Sequence, residues 1–232
     1  MFSHIAAGYE GFDHVASLGQ DLLWRPRALW TLDRFHRGRV ERALDVGCGT
    51  GELARAVARH FPAARVIATD FTLGMLRGAR GHRGAAELGP RVSYASANAL
   101  RLPFPDRAFD LVTNAFVLRN LSDLGVAFRE MRRVLRPGGT LLSLEITEPT
   151  RPAFGALFHA YFDRVVPMLG RVVGSEGPYR YLPESLRTLP SRGDLERILT
   201  GSGFTRTVSE SQSLGIVTTF LAEADGRGDQ SR

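Results

Sequence analysis

Leu44-Asp45-Val46-Gly47-Cys48-Gly49-Thr50-Gly51-Glu52-Leu53 is the stretch on which the fold of this chain turns. Arg42-Ala43-Leu44-Asp45-Val46 reads as a short strand, and Glu52–His60 as a helix with Leu53, Ala56 and Val57 on one face. Between them, three alternating glycines let the backbone turn tightly and approach a ligand closely, and the helix start offers free amides. A dinucleotide-binding loop would need its third glycine at position 52. That position holds Glu52, whose carboxylate at the helix start repels a pyrophosphate.

The alternation continues downstream. Arg65-Val66-Ile67-Ala68-Thr69 is a second buried strand, followed by a helix around Leu73–Arg80; Val92-Ser93-Tyr94-Ala95 and Phe109-Asp110-Leu111-Val112-Thr113 are the third and fourth strands. Asp123 caps a helix through Val126, Phe128, Met131, Val134 and Leu135, which Pro137-Gly138-Gly139 stops before the strand Thr140–Ile146. Phe204–Ser209 and Gly215–Leu221 are expected to pair as an antiparallel hairpin at one edge. The pattern predicts an α/β fold: a Rossmann-like, doubly wound, mostly parallel seven-stranded sheet with a terminal antiparallel hairpin and helical lid segments. Residues 1–224 are expected to form one domain, with a lid at 1–38, a cofactor-binding core at 41–147, a lid insertion at 151–190, and a final helix and hairpin at 192–222; residues 225–232 are expected to be a flexible tail. Phe2, Ile5, Tyr9 and Phe12 share one helix face. So does the stripe from Phe154 to Leu169. Either set could simply cover the sheet, or roof a pocket above the carboxyl ends of the strands, where open α/β sheets bind ligands.

Composition narrows the chemistry. The chain has 232 residues, 44% of them apolar and 23% charged, a balance that excludes disorder, collagen-like repeats and coiled coil. One cysteine, Cys48, excludes a disulfide framework and a four-thiolate zinc site, and no metal ligands are assigned. All 30 basic residues are arginine, which removes Schiff-base lysines and the phosphate-loop lysine. The formal charge of +6 raises the question of nucleic acid. The arginines are scattered, with only Arg132-Arg133 and Arg136 forming a small cluster, so no specific nucleic-acid partner is expected. With no basic n-region, signal-like stretch or membrane span in the sequence, a cytoplasmic protein is expected.

Two further positions sharpen the ligand. Asp70 ends the second strand, where a carboxylate can accept both ribose hydroxyls; Asn98-Ala99 follows the third, where an amide and backbone can read an adenine edge. Each alone could be a turn or capping residue. With Asp45 they lie at or just beyond three adjacent strand ends, so one ligand can touch all three. A ligand with a sulfonium and an amino-acid end avoids the repulsion at Glu52. Jointly these residues point to S-adenosylmethionine and a class I methyltransferase.

Beyond that core the sequence resembles the ubiquinone/menaquinone biosynthesis C-methyltransferases almost end to end. The resemblance takes in Ala6, Tyr9, Ser17-Leu18-Gly19 and Trp24, then Leu102-Pro103-Phe104-Pro105-Asp106 and Leu118-Arg119-Asn120. It continues through Arg133–Gly139, Leu144-Glu145, Tyr179-Arg180-Tyr181-Leu182, Glu184-Ser185 and Gly215-Ile216-Val217. It implies methyl transfer from S-adenosyl-L-methionine to a ring carbon of a polyprenylated quinol, with demethylmenaquinol to menaquinol as the leading case and the ubiquinol precursor beside it. The competing expectation is O- or N-methylation of another aromatic small molecule.

By the same resemblance Thr50, Asp70 and Asn98-Ala99 contact the cofactor; Asp45, Gly47, Gly49, Gly51, Phe71 and Ala115 complete the expected cofactor set. Arg119 and Asn120 are the expected catalytic pair. A hydroquinol hydroxyl titrates near 10, like tyrosine, and lowering it by about three units needs roughly 4 kcal/mol, within reach of a desolvated arginine plus an amide. Glu145 is a weaker candidate for the base. Tyr9, Tyr179, Arg180 and Tyr181 are expected to line the head-group pocket. The isoprenoid tail of the substrate leads to an expected weak peripheral association at the inner face of the membrane, and a homodimer is a further expected partner state. The sequence departs from the family at Asp21-Leu22, Phe71-Thr72, Ala115, Phe220, Ser175 and Gly177, several of them on the substrate side.

Overall fold

The computed structural model describes residues 19–149, 154–155, 161, 185 and 188–225. Helix α1 (Asp21–Phe35) leads into strand β1 (Arg42–Val46), helix α2 (Glu52–His60), β2 (Arg65–Asp70), and two short helices, α3 (Leu73–Gly81) and α4 (Arg83–Leu88). Strands β3 (Val92–Ser96) and β4 (Phe109–Ala115) follow, then a single 3₁₀ turn (Leu118–Asn120), α5 (Leu124–Val134), β5 (Leu135–Ile146), α6 (Arg192–Gly201), β6 (Phe204–Gln212) and β7 (Val217–Ala224).

The strands form one sheet in the order β3-β2-β1-β4-β5-β7-β6. The first five run parallel, and β7 is antiparallel to both β5 and β6. The sheet is therefore the expected α/β doubly wound one, and its last two strands form the expected hairpin, longer than the sequence suggests. Chain order reverses at β1, which has β2 on one side and β4 on the other. The crevice above that reversal is the ligand site of open α/β sheets.

Alternation along β1 explains why both faces are covered. Leu44 and Val46 pack with α5 and α6 residues such as Phe128, Met131 and Leu195, while Ala43 packs with Trp24, Leu32 and Val57 of α1 and α2. Both faces of β1 and β4 are buried, and both strands therefore carry buried polar groups (Asp45, Asp110, Thr113 and Asn114) among their apolar residues. Helix α1 buries Trp24, Ala28, Leu29, Leu32 and Phe35, recurring every three or four residues.

The structure corrects two local expectations. Helix α5 ends at Val134, before the proline, and β5 begins at Leu135. Leu135 pairs with Phe109 and Thr140 with Leu111, so Arg136–Gly139 bulge out of the ladder between them. Pro137 has no N–H to contribute to a ladder, and a bulge needs none there. The segment after α3 also forms a second helix, α4, which the sequence pattern does not reveal. Its cap is local: the His82 ring accepts a hydrogen bond from Gly84 N at 3.0 Å.

Candidate active site

At the carboxyl ends of β1, β2 and β4 lies a cavity of about 410 Å³, within the ~300–1,000 Å³ usual for small-molecule and cofactor sites. Its floor is the glycine loop. Gly47 takes a left-handed φ of 68°, and a Cβ there would collide with the Val117 side chain, so only glycine lets β1 turn beneath the β4 loop. The carbonyl of Thr50 is held from below by Arg55 Nη1 at 2.6 Å. Asp70 fixes the loop from the side: Oδ2 accepts from Gly49 N at 2.9 Å and Oδ1 from Thr72 N at 2.8 Å.

Asp45 is the most unusual group in the wall. Its Oδ1 accepts a hydrogen bond from Thr113 Oγ1 at 2.8 Å, while its buried Oδ2 makes no close hydrogen bond. Burial of the carboxyl raises its pKa to about 7, against the pull of Thr113, the backbone N–H of Ala54 and the charge of Arg25. A carboxylate oxygen without a close hydrogen bond at that depth is costly unless a cation meets it, and it fits a ligand bearing an ammonium. Cys48 beside it is pushed well above its ordinary value, chiefly by burial, which disfavours the thiolate.

The cavity brings together Asp45, Gly47, Gly49, Thr50, Asp70, Phe71, Asn98, Ala99, Ala115 and Asn120. Asn98 also serves its own turn, accepting from Leu100 N at 2.9 Å. Gly51 lies behind the lining, where a Cβ would meet the Tyr94 ring. Arg119 is not among the described residues that line the cavity. The Arg119 guanidinium is 4% exposed and donates to Glu145 Oε1 at 3.0 Å. Glu145 Oε2 accepts from Leu118 N at 2.8 Å and Oε1 also from Ile146 N at 3.1 Å. Burial raises the Glu145 pKa, opposed first by Arg119. With both oxygens engaged and no exposure, Glu145 ties the 118–120 turn to β5 and is not placed to take a substrate proton.

Tyr9, Tyr179, Arg180 and Tyr181 lie outside the described residues, as do most of the two lid segments. Among the departures from the family pattern, Phe71 and Ala115 line the cavity, whereas Phe220 is buried in the core and leaves the cavity untouched. The sequence pattern missed Arg25 and Phe116. Both line the cavity, and Phe116 follows β4 with a left-handed φ of 57°, a strained value for an aromatic residue. The Trp24 ring meets it edge-on at 5.8 Å. The only hint in the sequence is that Phe116 immediately precedes the Val117–Asn120 turn.

Comparison with known proteins places the chain in one family. The model of the ubiE/COQ5 methyltransferase family matches residues 1–223. A Thermus thermophilus protein named demethylmenaquinone methyltransferase is 43% identical over 205 residues, 88% of this chain and 91% of its own. A Geobacter sulfurreducens protein named ubiquinone/menaquinone biosynthesis C-methyltransferase UbiE is 35% identical over 224 residues, 96% of this chain and 86% of its own. Among solved structures, a SAM-dependent methyltransferase from Aquifex aeolicus superposes with a TM-score of 0.61 at 20% identity, over 85% of this chain and 89% of its own, a likeness of fold.

Proposed function

The chain belongs to the ubiE/COQ5 methyltransferase family, and we propose that it methylates a ring carbon of a polyprenylated quinol with S-adenosyl-L-methionine, converting demethylmenaquinol to menaquinol. Relatives named for that reaction support the substrate. The observation that carries the reading is one continuous cavity in which the glycine loop, Asp45 and Asp70 share a wall with Asn120.

The chemistry the cofactor supplies when bound is a methyl group already activated by a sulfonium. What remains for the chain is to hold, align and polarise. Asp45, Gly47, Gly49, Thr50, Asp70, Phe71, Asn98, Ala99 and Ala115 hold the cofactor, with Asp45 Oδ2 meeting its ammonium and the Asp70 carboxylate its ribose. Neither task conflicts with the bonds Asp70 already makes, because each carboxylate oxygen accepts more than one hydrogen. Alignment of the two reactants contributes several kcal/mol by itself. Asn120 reaches the cavity and donates from its amide to a quinol oxygen as that oxygen becomes anionic. Arg119, neutralised by Glu145, contributes less field there than its charge alone suggests and acts by holding Asn120 in place. Tyr9, Tyr179, Arg180 and Tyr181 take the quinol head group, and the protein meets the membrane peripherally.

Purified protein incubated with methyl-labelled cofactor and a short-chain demethylmenaquinol should give a ring-methylated menaquinol. Asn120→Ala should lower kcat about tenfold or more while cofactor affinity stays the same, the loss expected when a donor to a developing oxyanion is removed. Label on oxygen, or none transferred, would overturn the reaction; unchanged turnover in the variant would overturn the role of Asn120.

A further inference from the structure

Arg25 has no counterpart in the glycine-loop signature, because α1 brings it in from outside the strand–helix alternation. Two contacts seat this stretch of α1. Trp24, 7% exposed, donates from Nε1 to Ser213 Oγ at 2.7 Å and lays its ring against Phe116. The next residue then places its guanidinium carbon 5.8 Å from the centre of the same Phe116 ring. The Arg25 side chain is 13% exposed and pairs with Glu52, the first residue of α2.

Among the described residues lining the cavity, Arg25 carries the one positive charge, against Asp45, Glu52 and Asp70. The acidic groups are divided between its two ends. Asp70, with Asn98 beyond it, belongs to the side of β2 and β3; Asp45, Glu52 and Arg25 belong to the glycine-loop side. On the glycine-loop side a lone anionic group would meet repulsion from Asp45 and Glu52 everywhere except beside the guanidinium. A zwitterion is accommodated there: its cation beside Asp45 Oδ2, its anion beside Arg25.

We infer that Arg25 is the recognition group for the α-carboxylate of the cofactor's amino-acid end, with Asp45 taking the ammonium and Glu52 and Phe116 orienting the guanidinium. The inference rests on S-adenosylmethionine as the ligand and adds a residue that selects it over ligands lacking an amino-acid end. Planar guanidinium suits this task, since it binds a carboxylate through two parallel N–H donors.

The test is calorimetric binding of two ligands to the full chain. S-adenosylhomocysteine keeps the amino-acid end, and 5′-methylthioadenosine lacks it. Arg25→Gln should weaken S-adenosylhomocysteine about tenfold or more, the scale of a lost charged hydrogen bond, and change methylthioadenosine by less than about twofold. Arg25→Lys, which keeps the charge without the fork, should fall between wild type and Arg25→Gln for S-adenosylhomocysteine. Equal losses for both ligands would make the Arg25–Glu52 pair a purely structural tie, and no loss for either would remove the role; both results overturn the inference. Failure of the wild-type chain to bind S-adenosylhomocysteine at all would instead overturn the cofactor itself, a separable outcome.

Discussion

Asp45, one residue before the end of β1, keeps a carboxyl group in a fully buried position with one oxygen bonded to Thr113 and the other making no close hydrogen bond. Burial raises its pKa to about 7 from 3.8. Between about pH 4 and 7 the folded chain therefore holds a proton that the unfolded chain has released, so this group's effect is to lower stability as pH rises through that window and to level off above it. An asparagine in its place would carry no such proton. The difference in melting temperature between Asp45→Asn and wild type should move in favour of the variant from pH 5 to pH 8; a pH-independent difference would show that Asp45 is ionised throughout. The same residue illustrates what a sequence conveys at this scale. Its place beside the glycine loop is legible in Leu44–Leu53. Its sparsely bonded oxygen is not, because that depends on what β4 and α2 bring within reach of it.

At the scale of elements, local signals succeed where one residue decides the outcome. Asp123 caps α5, its Oδ1 accepting from Val126 N at 2.9 Å, as an aspartate before an apolar-periodic run should. Asp123→Ala should cost about 1 kcal/mol, read as a lower urea midpoint with an unchanged slope; an unchanged midpoint would mean the cap is not formed in solution. Pro137-Gly138-Gly139 is legible as a break in helix and strand but not as a bulge. The ladder resumes on both sides because Leu135 finds Phe109 and Thr140 finds Leu111, pairings set by a strand 26 or more residues away. The helical lid expected over residues 1–38 contains α1, whose apolar spacing is local, but the surface it covers is not. Only the folded chain shows that β5 and β7 receive Trp24, Leu32 and Phe35.

At the scale of the whole molecule, the question is how a chain in which no described helix is long and apolar enough to cross a membrane reaches a substrate with an isoprenoid tail. The outward side of α1 exposes Leu22, Leu23 and Trp30, with Arg34 stacked on the Trp30 ring at 4.0 Å. Apolar groups with an aromatic and arginines beside them suit an anionic lipid surface, to which each basic residue close to it adds about 1 kcal/mol. Peripheral association should therefore rise with the anionic lipid content of liposomes and fall as salt screens the surface; binding indifferent to both would refute it. The amino-acid sequence by itself determined the strand–helix alternation, the glycine loop, and the carboxylate and amide at successive strand ends, because each is written in contiguous residues whose period or backbone freedom is local. The tertiary structure alone decided that Asn120 faces the cavity while its neighbour Arg119 turns onto Glu145, that β5 bulges, and that Arg25 joins the site from α1. Those outcomes depend on which distant strand or helix satisfies a buried charge, and no local pattern encodes that.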